Sequence, residues 1–409
     1  MIETSSSDRR VRTGLDNLLN NLREGTAAEI GNLPEICHLI RQGANCGLVS
    51  NPASITEDLS SAEMALLRAG VRLGAIFGPE HGARGSAEAG EAVGSATDPT
   101  TGAPVYSLYG STVRPTPEML AGLDLMLFDL QDVGVRFYTY TWTLSHLLEA
   151  CGEAGIPVVI LDRPNPIGGE MVEGPLLEPG LESFVGRYAI PVRHGLTIGE
   201  LARMFAGRYA PGPPPLISPM TGWRRVDWWC ETRLDWAAPS PNIPTPETTW
   251  IYPGTCLLEG TNLSEGRGAP LPFRVCGAPW IEPDRLAARL NELGGSRWRG
   301  LYFTPSSSKH SGITCGGVEW YRPHASDWRK EFHPVRTGLE LIQAVKELWP
   351  GEFRWLSGGA GRSHFDRLIG RSDVRARLDA GESAASIAAG WSEDEARFLN
   401  DRKPYLLYS

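Results

Sequence analysis

The stretch that decides the fold class is "LDLMLFDL", residues 123–130, in which six of the eight side chains are apolar. Such a continuous apolar run is typical of a strand buried on both faces of a parallel sheet, whereas a half-exposed strand alternates apolar and polar residues. The pattern continues, because "YTWTLSHLLEACGEAG" (140–155) has helical spacing and "IPVVILD" (156–162) is again strand-like. Strand, helix and strand in this order predict a doubly wound α/β sheet with right-handed crossovers.

The segments that precede this unit show the same alternation. "ANCGLVS" (44–50) and "VRLGAIFG" (71–78) have the composition of strands, and "EDLSSAEMALLRAG" (57–70) has the spacing of a helix. This rhythm is typical of helices that cover an open parallel sheet. The first half of the chain is therefore predicted to be one α/β domain.

The proline-rich stretch "APGPPPLISP" (210–219) marks a change of pattern and is predicted to be a linker or a domain boundary. A loop-rich region over 236–280 follows it, and strands and helices alternate less regularly afterwards. A chain of 409 residues also exceeds the usual size of one hydrophobic core. We therefore predict a catalytic domain over residues 1–220 and a smaller α+β auxiliary domain over residues 221–409, which contributes loops to the site.

The composition disfavours several classes of protein. Thirty-nine basic residues against 48 acidic ones give a net charge of −9, so no nucleic-acid partner is expected. No apolar run approaches the roughly 20 residues of a membrane span, and the polar N-terminus lacks the apolar core of a signal peptide. A cytoplasmic protein is the expectation, and export of a precursor whose signal has been removed is left open.

Polar side chains follow four of the predicted strands at the points where the strands end. They are Asn51 after the first strand, Glu80 and His81 after the second, Gln131, Asp132 and Arg136 after the third, and Arg163 and Asn165 after the fourth. Ligands of open parallel sheets bind outside the carboxyl ends of the strands, so these side chains are predicted to line one site. Each has a structural alternative, because strand-end polar residues also cap helices and Arg163 can pair with Asp162.

The motifs of several common enzyme classes are missing. The chain has no GxGxxG after its first strand, no GxxxxGK[ST] phosphate loop, no GxSxG nucleophile elbow and no HExxH metal site. Its seven cysteines show no metal-binding spacing. No cofactor and no metal are therefore expected, and an enzyme that acts on a sugar phosphate is disfavoured for the same reason.

The remaining polar residues suit a carbohydrate ligand. Carboxylates and amides bind sugar hydroxyls, and the aromatic run "VRFYTYTW" (135–142), which contains Tyr138, offers faces for sugar rings. Glycoside cleavage commonly needs a carboxylic acid that protonates the leaving oxygen and a second group on the other side of the anomeric carbon. Glu80, on its glycine-rich loop "FGPEHGARG", is the predicted acid. The candidates for the second group are Asp132, Asp129, Glu173 and Glu265.

Two polar loops beyond the predicted linker are expected to close over the same ligand. "PSPNIPT" (239–245) carries Asn242 among prolines, and "EGTNLSEGRGAPLPF" (259–273) carries Glu265 and Arg267 between glycines. The alternative is that both are ordinary surface loops. Their density of polar groups beside glycine favours a lip over the site.

A series of ordered motifs resembles the NamZ-type exo-β-N-acetylmuramidases, a family long catalogued as a domain of unknown function. The motifs are "SNPAS", "FGPEHGARG", "SLYG", "FDLQDVGVRFYTYTW", "LDRPNPIGG", "VEGP", "PVRHGLTIGELA", "PSPNIPT", "EGTNLSEGRG" and "PFRVCGAPW". The resemblance covers nearly the whole chain. It implies a Rossmann-like N-terminal domain, a smaller α/β C-terminal domain, and release of N-acetylmuramic acid from the non-reducing ends of peptidoglycan fragments.

The resemblance also assigns residues. It places the family's catalytic glutamate at Glu80, and other motif positions fall on His81, Asp132, Arg136, Arg163, His194 and Arg267. Asp132 is then expected to orient or deprotonate the substrate acetamide in a substrate-assisted route. In a conventional route, either Asp132 or Glu265 is expected to be the nucleophile or base. The chain departs from the family at Ala269, where a threonine is frequent, which puts a local hydrogen bond in doubt.

The lactyl carboxylate distinguishes N-acetylmuramic acid from N-acetylglucosamine and needs a cation. Arg163 is the first candidate, followed by Arg136 and Arg267, because a guanidinium can bind a carboxylate through two hydrogen bonds. The expected partners are muropeptides such as N-acetylmuramyl-N-acetylglucosamine (MurNAc-GlcNAc). The alternative interpretation of the same motifs is a non-catalytic muropeptide-binding protein of the same fold, which would bind without turnover.

Overall fold

The structure is a computed structural model of the chain, and it describes residues 10–24, 30–80, 96–110, 112–210, 212–357 and 363–409. In these ranges the strands are β1 (Asn45–Ser50), β2 (Arg72–Gly78), β3 (Ala96–Thr97), β4 (Pro104–Ser107), β5 (Leu125–Asp129), β6 (Val158–Leu161), β7 (Leu216–Ser218), β8 (Val275–Ala278), β9 (Arg297–Phe303) and β10 (Cys315–Tyr321). The helices are α1 (Gly14–Glu24), α2 (Leu33–Arg41), α3 (Ala62–Arg68), α4 (Pro117–Leu120), α5 (Tyr140–Ala154), α6 (Ile198–Arg208), α7 (Trp229–Thr232), α8 (Pro246–Thr255), α9 (Pro283–Leu293), α10 (Trp328–Glu331), α11 (Pro334–Leu348), α12 (His364–Ile369), α13 (Val374–Asp379), α14 (Ala384–Ala389) and α15 (Ser392–Asp401). Within these ranges, no helix combines the length and the hydrophobicity that a membrane crossing requires.

The larger sheet has, in the described part of the chain, seven strands in the order β3-β4-β2-β1-β5-β6-β7. Neighbouring strands are parallel, except that the short β3 runs antiparallel to β4. Numbering the six parallel strands along the chain turns this order into 3-2-1-4-5-6, which is the order of a Rossmann domain. The predicted Rossmann-like, doubly wound α/β fold is confirmed.

Strand β5 is buried on both faces, as its apolar sequence predicts. Leu125 and Leu127 belong to the hydrophobic cluster that also contains apolar side chains of α1, α2 and α3. Met126 and Phe128 point the other way, into the cluster that contains apolar side chains of α5 and α6. Side chains alternate across a strand, so a strand with helices on both sides has to be apolar at every position.

The second half of the chain contains a three-stranded antiparallel sheet in the order β8-β10-β9. Helix α9 packs on β9 and β10, and α11 packs against α8 and α9. This confirms the predicted smaller α+β unit. Its core is continuous with that of the Rossmann-like part, because Leu339 of α11 belongs to the same hydrophobic cluster as Phe128 of β5.

The predicted linker over 210–219 is wrong, because this stretch completes the sheet. Leu216–Ser218 form β7 and pair in parallel with β6. The outer side of β7 is covered by Asn32, whose backbone N–H donates to Ile217 O at 3.0 Å and whose Oδ1 accepts from Ile217 N at 3.0 Å. An edge strand tolerates neighbouring prolines, because a missing N–H on its outer side breaks no ladder hydrogen bond.

Part of the region that the sequence predicts as loop-rich is helical. Helix α8, with the sequence "PETTWIYPGT", is almost entirely buried and contains Pro253 in its interior. Helical periodicity is invisible in a helix that is apolar on all sides. The proline and the glycine of this sequence usually indicate a turn, but here the packing around the helix outweighs that signal.

The C-terminal segment returns to the Rossmann-like part of the molecule. Arg402 Nη1 donates to the carbonyl oxygens of His194 and Gly195, at 3.1 and 2.8 Å. The Tyr408 hydroxyl donates to Asp162 Oδ2 at 2.6 Å, beyond the end of β6. The last residues therefore connect the second half of the chain to the first.

Candidate active site

Glu80 lies where β2 ends, at the edge of the sheet that carries the carboxyl ends of the parallel strands. The Thr139 hydroxyl donates a hydrogen bond of 2.7 Å to Glu80 Oε2. Thr139 immediately precedes α5, the helix that follows β5. The segments after two strands of the sheet thus meet at this carboxyl group, and the hydrogen bond fixes its orientation.

A cavity of about 250 Å³, which we call the inner cavity, lies beside Glu80. Four of the predicted site residues line it, namely Glu80, Tyr138, Asn242 and Arg267. Further aromatic side chains of the wall come from both halves of the chain and are Tyr109, Phe137, Phe184, Tyr252 and Phe273. An acid, an amide and a guanidinium among ring faces suit a sugar ring, which presents both hydroxyl groups and an apolar C–H face.

A cluster of polar side chains from the second half of the chain contributes three members, Glu259, Arg267 and His364, to the inner cavity wall. Arg267 Nη2 donates to Glu259 Oε1 at 2.7 Å, and Arg267 Nε lies 3.3 Å from Glu265 Oε1. His364 Nε2, at the start of α12, lies 3.5 Å from Glu259 Oε2. Lys309 Nζ lies 2.8 Å from Glu265 Oε2. Three separate segments of the second half of the chain therefore meet at this cluster.

The charges of the cluster shift the pKa values of its members. Burial alone would raise the pKa of Glu259, but the hydrogen bond from His364 and the charge of Arg267 hold it well below its usual value. Burial alone would lower the pKa of Arg267, but Glu259 and Glu265 raise it above its usual value. Glu259 is therefore ionised at neutral pH and Arg267 stays cationic.

A second cavity of about 770 Å³, the outer cavity, adjoins the inner one. Asn242, Glu259, Arg267 and His364 line both cavities, so the two are neighbours, and we call them together the cleft. The outer cavity is lined further by Glu265, Lys309, the loop over 306–308 and Ala269. Residues of the polar loops 239–245 and 259–273 line these cavities, and closure of the loops over a ligand stays a prediction.

The structure places Asp132, predicted as a second catalytic group, below the cavity wall. Asp132 is 4% exposed and lines neither cavity. Its Oδ2 accepts a hydrogen bond from Gly134 N at 2.8 Å and lies 3.5 Å from Nε2 of His194. His194 is itself fully buried and accepts from Leu196 N through Nδ1. These contacts hold the chain after β5 against the loop that precedes α6.

Three of the predicted amide residues support loops from beneath. Asn51 Nδ2 donates to the Tyr140 hydroxyl at 2.9 Å and to the Pro239 carbonyl at 3.2 Å, so it anchors the loop that carries Asn242. Gln131 Nε2 donates to the carbonyl oxygens of Asp132 and Pro164. Asn165 Nδ2 donates to Leu196 O. All three are buried, and none lines either cavity.

Two of the predicted arginines are also buried away from the cleft. Arg163 forms a bidentate pair with Asp129, with Nε–Oδ1 and Nη2–Oδ2 distances of 2.6 and 2.9 Å, and also donates to Ile55 O. Asp129, rather than the predicted Asp162, is therefore its partner. Arg136 donates only to carbonyl oxygens, those of Pro175, Ile190 and Leu368, and burial lowers its pKa to about 9. Neither guanidinium faces the inner cavity.

The remaining predicted residues lie elsewhere. His81 falls outside the described residues. Glu173 lies at the N-terminus of α11, where its Oε1 accepts from Arg336 N at 2.8 Å, and burial raises its pKa to about 7. Among the candidates for the second catalytic group, Glu265 alone reaches the cleft, at the outer cavity.

Sequence reasoning missed several residues of the inner cavity. Glu259 opens the motif "EGTNLSEGRG", which is the local signal that could have identified it beside Glu265 and Arg267. Thr139 stands within the recognised aromatic run. His364 and Phe184 belong to no recognised motif, and no local signal marks them as site residues.

Comparison with known protein families and proteins finds similarity to the same family over nearly the whole chain. The N-terminal model of the exo-β-N-acetylmuramidase NamZ matches residues 46–247, and the C-terminal model matches residues 250–408. A peptidoglycan β-N-acetylmuramidase NamZ of Bacillus subtilis is 44% identical over 402 residues, which is 98% of this chain and 92% of that protein.

Two solved structures have the same fold. They are DUF1343 family proteins from Bacteroides fragilis, with TM-scores of 0.84 and 0.76. Each is 32% identical to this chain, and each match covers 98% of this chain and 99% of the other. The order of the sheet, the motifs along both halves and these matches agree, and the chain belongs to the NamZ family of exo-β-N-acetylmuramidases.

Proposed function

We propose that this protein is an exo-acting glycoside hydrolase that releases N-acetylmuramic acid from the non-reducing ends of peptidoglycan fragments, with Glu80 as the general acid. The observation that carries the proposal is the Glu80 carboxyl group, which lines a cavity of the size of a single sugar and is oriented by Thr139. In this role Glu80 protonates the glycosidic oxygen as the bond to the anomeric carbon breaks.

Glu259 is the second carboxylate that lines the inner cavity among the described residues. Since its pKa lies well below the usual value, it is ionised while Glu80 delivers a proton. A glycosidase needs this division between an acid and an ionised group, because positive charge develops on the sugar ring in the transition state. We therefore assign the role of this ionised carboxylate, the second catalytic group, to Glu259 rather than to the buried Asp132.

Arg267 is the predicted arginine that lines the inner cavity, so it replaces Arg163 as the group that reads the lactyl carboxylate. Its guanidinium lies 5.0 Å from the centroid of the Phe273 ring and is held by Glu259 and Glu265. A guanidinium fixed in this way can bind a further carboxylate with little loss of side-chain freedom.

The test uses MurNAc-GlcNAc as substrate, with products followed by mass spectrometry and by NMR of the anomeric protons. The wild type is expected to release both monosaccharides. Glu80→Gln is expected to keep the melting temperature and to lose roughly 10²- to 10⁴-fold in kcat, the usual effect of removing a general acid. Glu57→Gln, which changes an exposed glutamate paired with Arg10, is the matched control.

Two results would contradict the assignment. Wild-type kcat in Glu80→Gln would remove Glu80 from catalysis. Binding of the disaccharide without any release of product by the wild type would favour the non-catalytic binding protein instead.

A further inference from the structure

Phe184 is an exposed phenyl ring in the wall of the inner cavity. The side chain is 54% exposed, whereas Tyr138, Tyr252 and Phe273 in the same wall are between 1% and 6% exposed. An exposed phenyl ring forfeits the stabilisation that its burial in the core would provide. Phe184 therefore marks the place where this wall is open to a ligand.

The turn that carries Phe184 is held rigidly. Ser183 N donates to Gly186 O at 2.7 Å, and Gly186 N donates back to Ser183 O at 3.1 Å. Val185, the next residue, is 5% exposed and anchors the turn in the core. The ring is thus presented on a fixed backbone, and a ligand that contacts it orders little of the chain.

The base of the loop is fixed as well, by the buried Arg136. Its Nη1 donates to the carbonyl oxygens of Pro175 and Ile190, at 2.9 and 2.7 Å, so one guanidinium joins the chain on both sides of Phe184. Arg187 Nη1 donates to the Ser145 hydroxyl at 2.7 Å and connects the loop to α5. These contacts explain why Arg136 is buried without a carboxylate partner: carbonyl oxygens of the loop are its acceptors.

The surroundings of Phe184 fit a sugar better than a protein surface. Its neighbour in sequence, Glu182, is exposed and polar. Elsewhere the same cavity is lined by Glu80, Ser240 and Asn242. A pyranose ring has an apolar C–H face that stacks on an aromatic ring and a rim of hydroxyl groups that bind such polar side chains.

We propose that Phe184 is a stacking platform for a pyranose ring of the substrate, positioned from beneath by Arg136. The inference rests on the proposed glycosidase function and adds a binding residue to that site. Stacking on a flat ring contributes to substrate affinity without taking part in proton transfer, so its loss acts on KM rather than on kcat.

Three variants test the proposal with MurNAc-GlcNAc as substrate. Phe184→Ala is expected to raise KM about 5- to 10-fold, the effect of burying the exposed half of a phenyl ring, with kcat and melting temperature nearly unchanged. Phe184→Trp is expected to retain a low KM because it keeps a flat face. Phe184→Leu is expected to behave like Phe184→Ala because it is apolar but has no flat face.

Product inhibition shows which ring stacks. The inhibition constant of N-acetylmuramic acid or of N-acetylglucosamine is expected to rise in Phe184→Ala, and the product affected is the ring that lies on Phe184. Tyr302→Ala is the matched control, since Tyr302 is a 70% exposed aromatic residue of β9 that lines neither cavity.

Unchanged KM in Phe184→Ala, or a KM in Phe184→Leu equal to that of the wild type, would overturn the proposal. Inhibition constants that are unchanged for both products would do the same. These results differ from failure of the proposed function, in which the wild type itself releases no monosaccharide.

Discussion

The three arginines nominated for the lactyl carboxylate differ at the scale of single residues. Arg163 and Arg136 are 4% and 0% exposed and have protein acceptors, whereas the Arg267 side chain is 20% exposed and lines the cleft. A buried guanidinium is satisfied by the protein, and removing its partner leaves an uncompensated charge. Arg163 and Arg267 therefore give different expected results when each is replaced by lysine.

Arg163→Lys is expected to lower stability without changing specificity. Lysine cannot reproduce the two parallel hydrogen bonds to Asp129, so the free energy of unfolding should fall by roughly 1.5–3 kcal/mol. Urea unfolding measures this loss, and kcat/KM on matched N-acetylmuramyl and N-acetylglucosaminyl substrates should keep its ratio. A reduced preference for the muramyl substrate at unchanged stability would return Arg163 to the site.

Arg267→Lys, by contrast, is expected to change substrate specificity. The preference for the muramyl substrate in kcat/KM should shrink by about 1.5–3 kcal/mol, the range for a hydrogen bond to a charged group. The reason is that a lysine offers no planar fork to the lactyl carboxylate. An unchanged ratio of the two kcat/KM values would show that another group reads the lactyl carboxylate.

At the scale of elements, α8 and α11 cross at two glycines. A Cβ on Gly254 would lie 1.9 Å from Pro334 O, and a Cβ on Gly338 would lie 2.2 Å from Gly254 O. The helices can approach this closely only because neither residue has a side chain. Helix α8 is followed at once by the 3₁₀ turn Cys256–Gly260, which carries Glu259, so this crossing also positions the charged cluster.

Gly254→Ala is therefore expected to destabilise the protein by at least about 2 kcal/mol, because the new methyl group forces the two helices apart. Gly351→Ala is the control, since no heavy atom lies within 4 Å of the Cβ position there. Thermal unfolding compares the two variants. Equal melting temperatures for Gly254→Ala and the wild type would show that the crossing tolerates separation.

At the scale of the whole molecule, the C-terminal segment closes on a buried acid. Asp162 Oδ1 accepts from Gly199 N at 2.8 Å, and Oδ2 accepts from the hydroxyl groups of Thr197 and Tyr408, at 2.8 and 2.6 Å. Burial raises the pKa of Asp162 to about 7, although these hydrogen bonds act in the other direction. The acid thus joins the N-terminus of α6 to the last residues of the chain.

A raised pKa makes this contact sensitive to pH. The folded protein binds the proton of Asp162 more tightly than the unfolded chain does, so the stabilisation is complete below the unfolded value near 4 and is lost as the pH rises through about 7. Between pH 5 and pH 8 the loss should amount to roughly 1–3 kcal/mol.

Asp162→Asn tests this dependence because an asparagine does not titrate. The unfolding free energy of the wild type minus that of the variant is expected to fall from pH 5 to pH 8. Glu173, whose pKa is also raised to about 7, is present in both proteins and cancels in the difference. A difference that is constant over this range would contradict the assignment.

The sheet and the family could be predicted from local sequence, and so could Glu80, Tyr138, Asn242 and Arg267, which line the inner cavity. The apolar run in β5 required helices on both of its faces, and the alternation of strands and helices predicted a doubly wound sheet. Glu80 could be singled out because it follows a predicted strand on a glycine-rich loop. These features are local, since backbone conformation and burial period are set by residues close together in the chain.

The tertiary structure decided which polar side chains face the cleft. Arg163 is buried because Asp129, 34 residues away, is its partner, and Arg136 donates to a carbonyl 232 residues away at Leu368. The contact between Glu259 and His364 joins residues 105 positions apart. Arg163 and Arg136 stand in the expected motifs, but their guanidinium groups bind acceptors inside the protein. His364 stands in none of these motifs, yet it lines the cavity. A charged group is buried or exposed according to partners brought from distant segments, and only the folded chain specifies those partners.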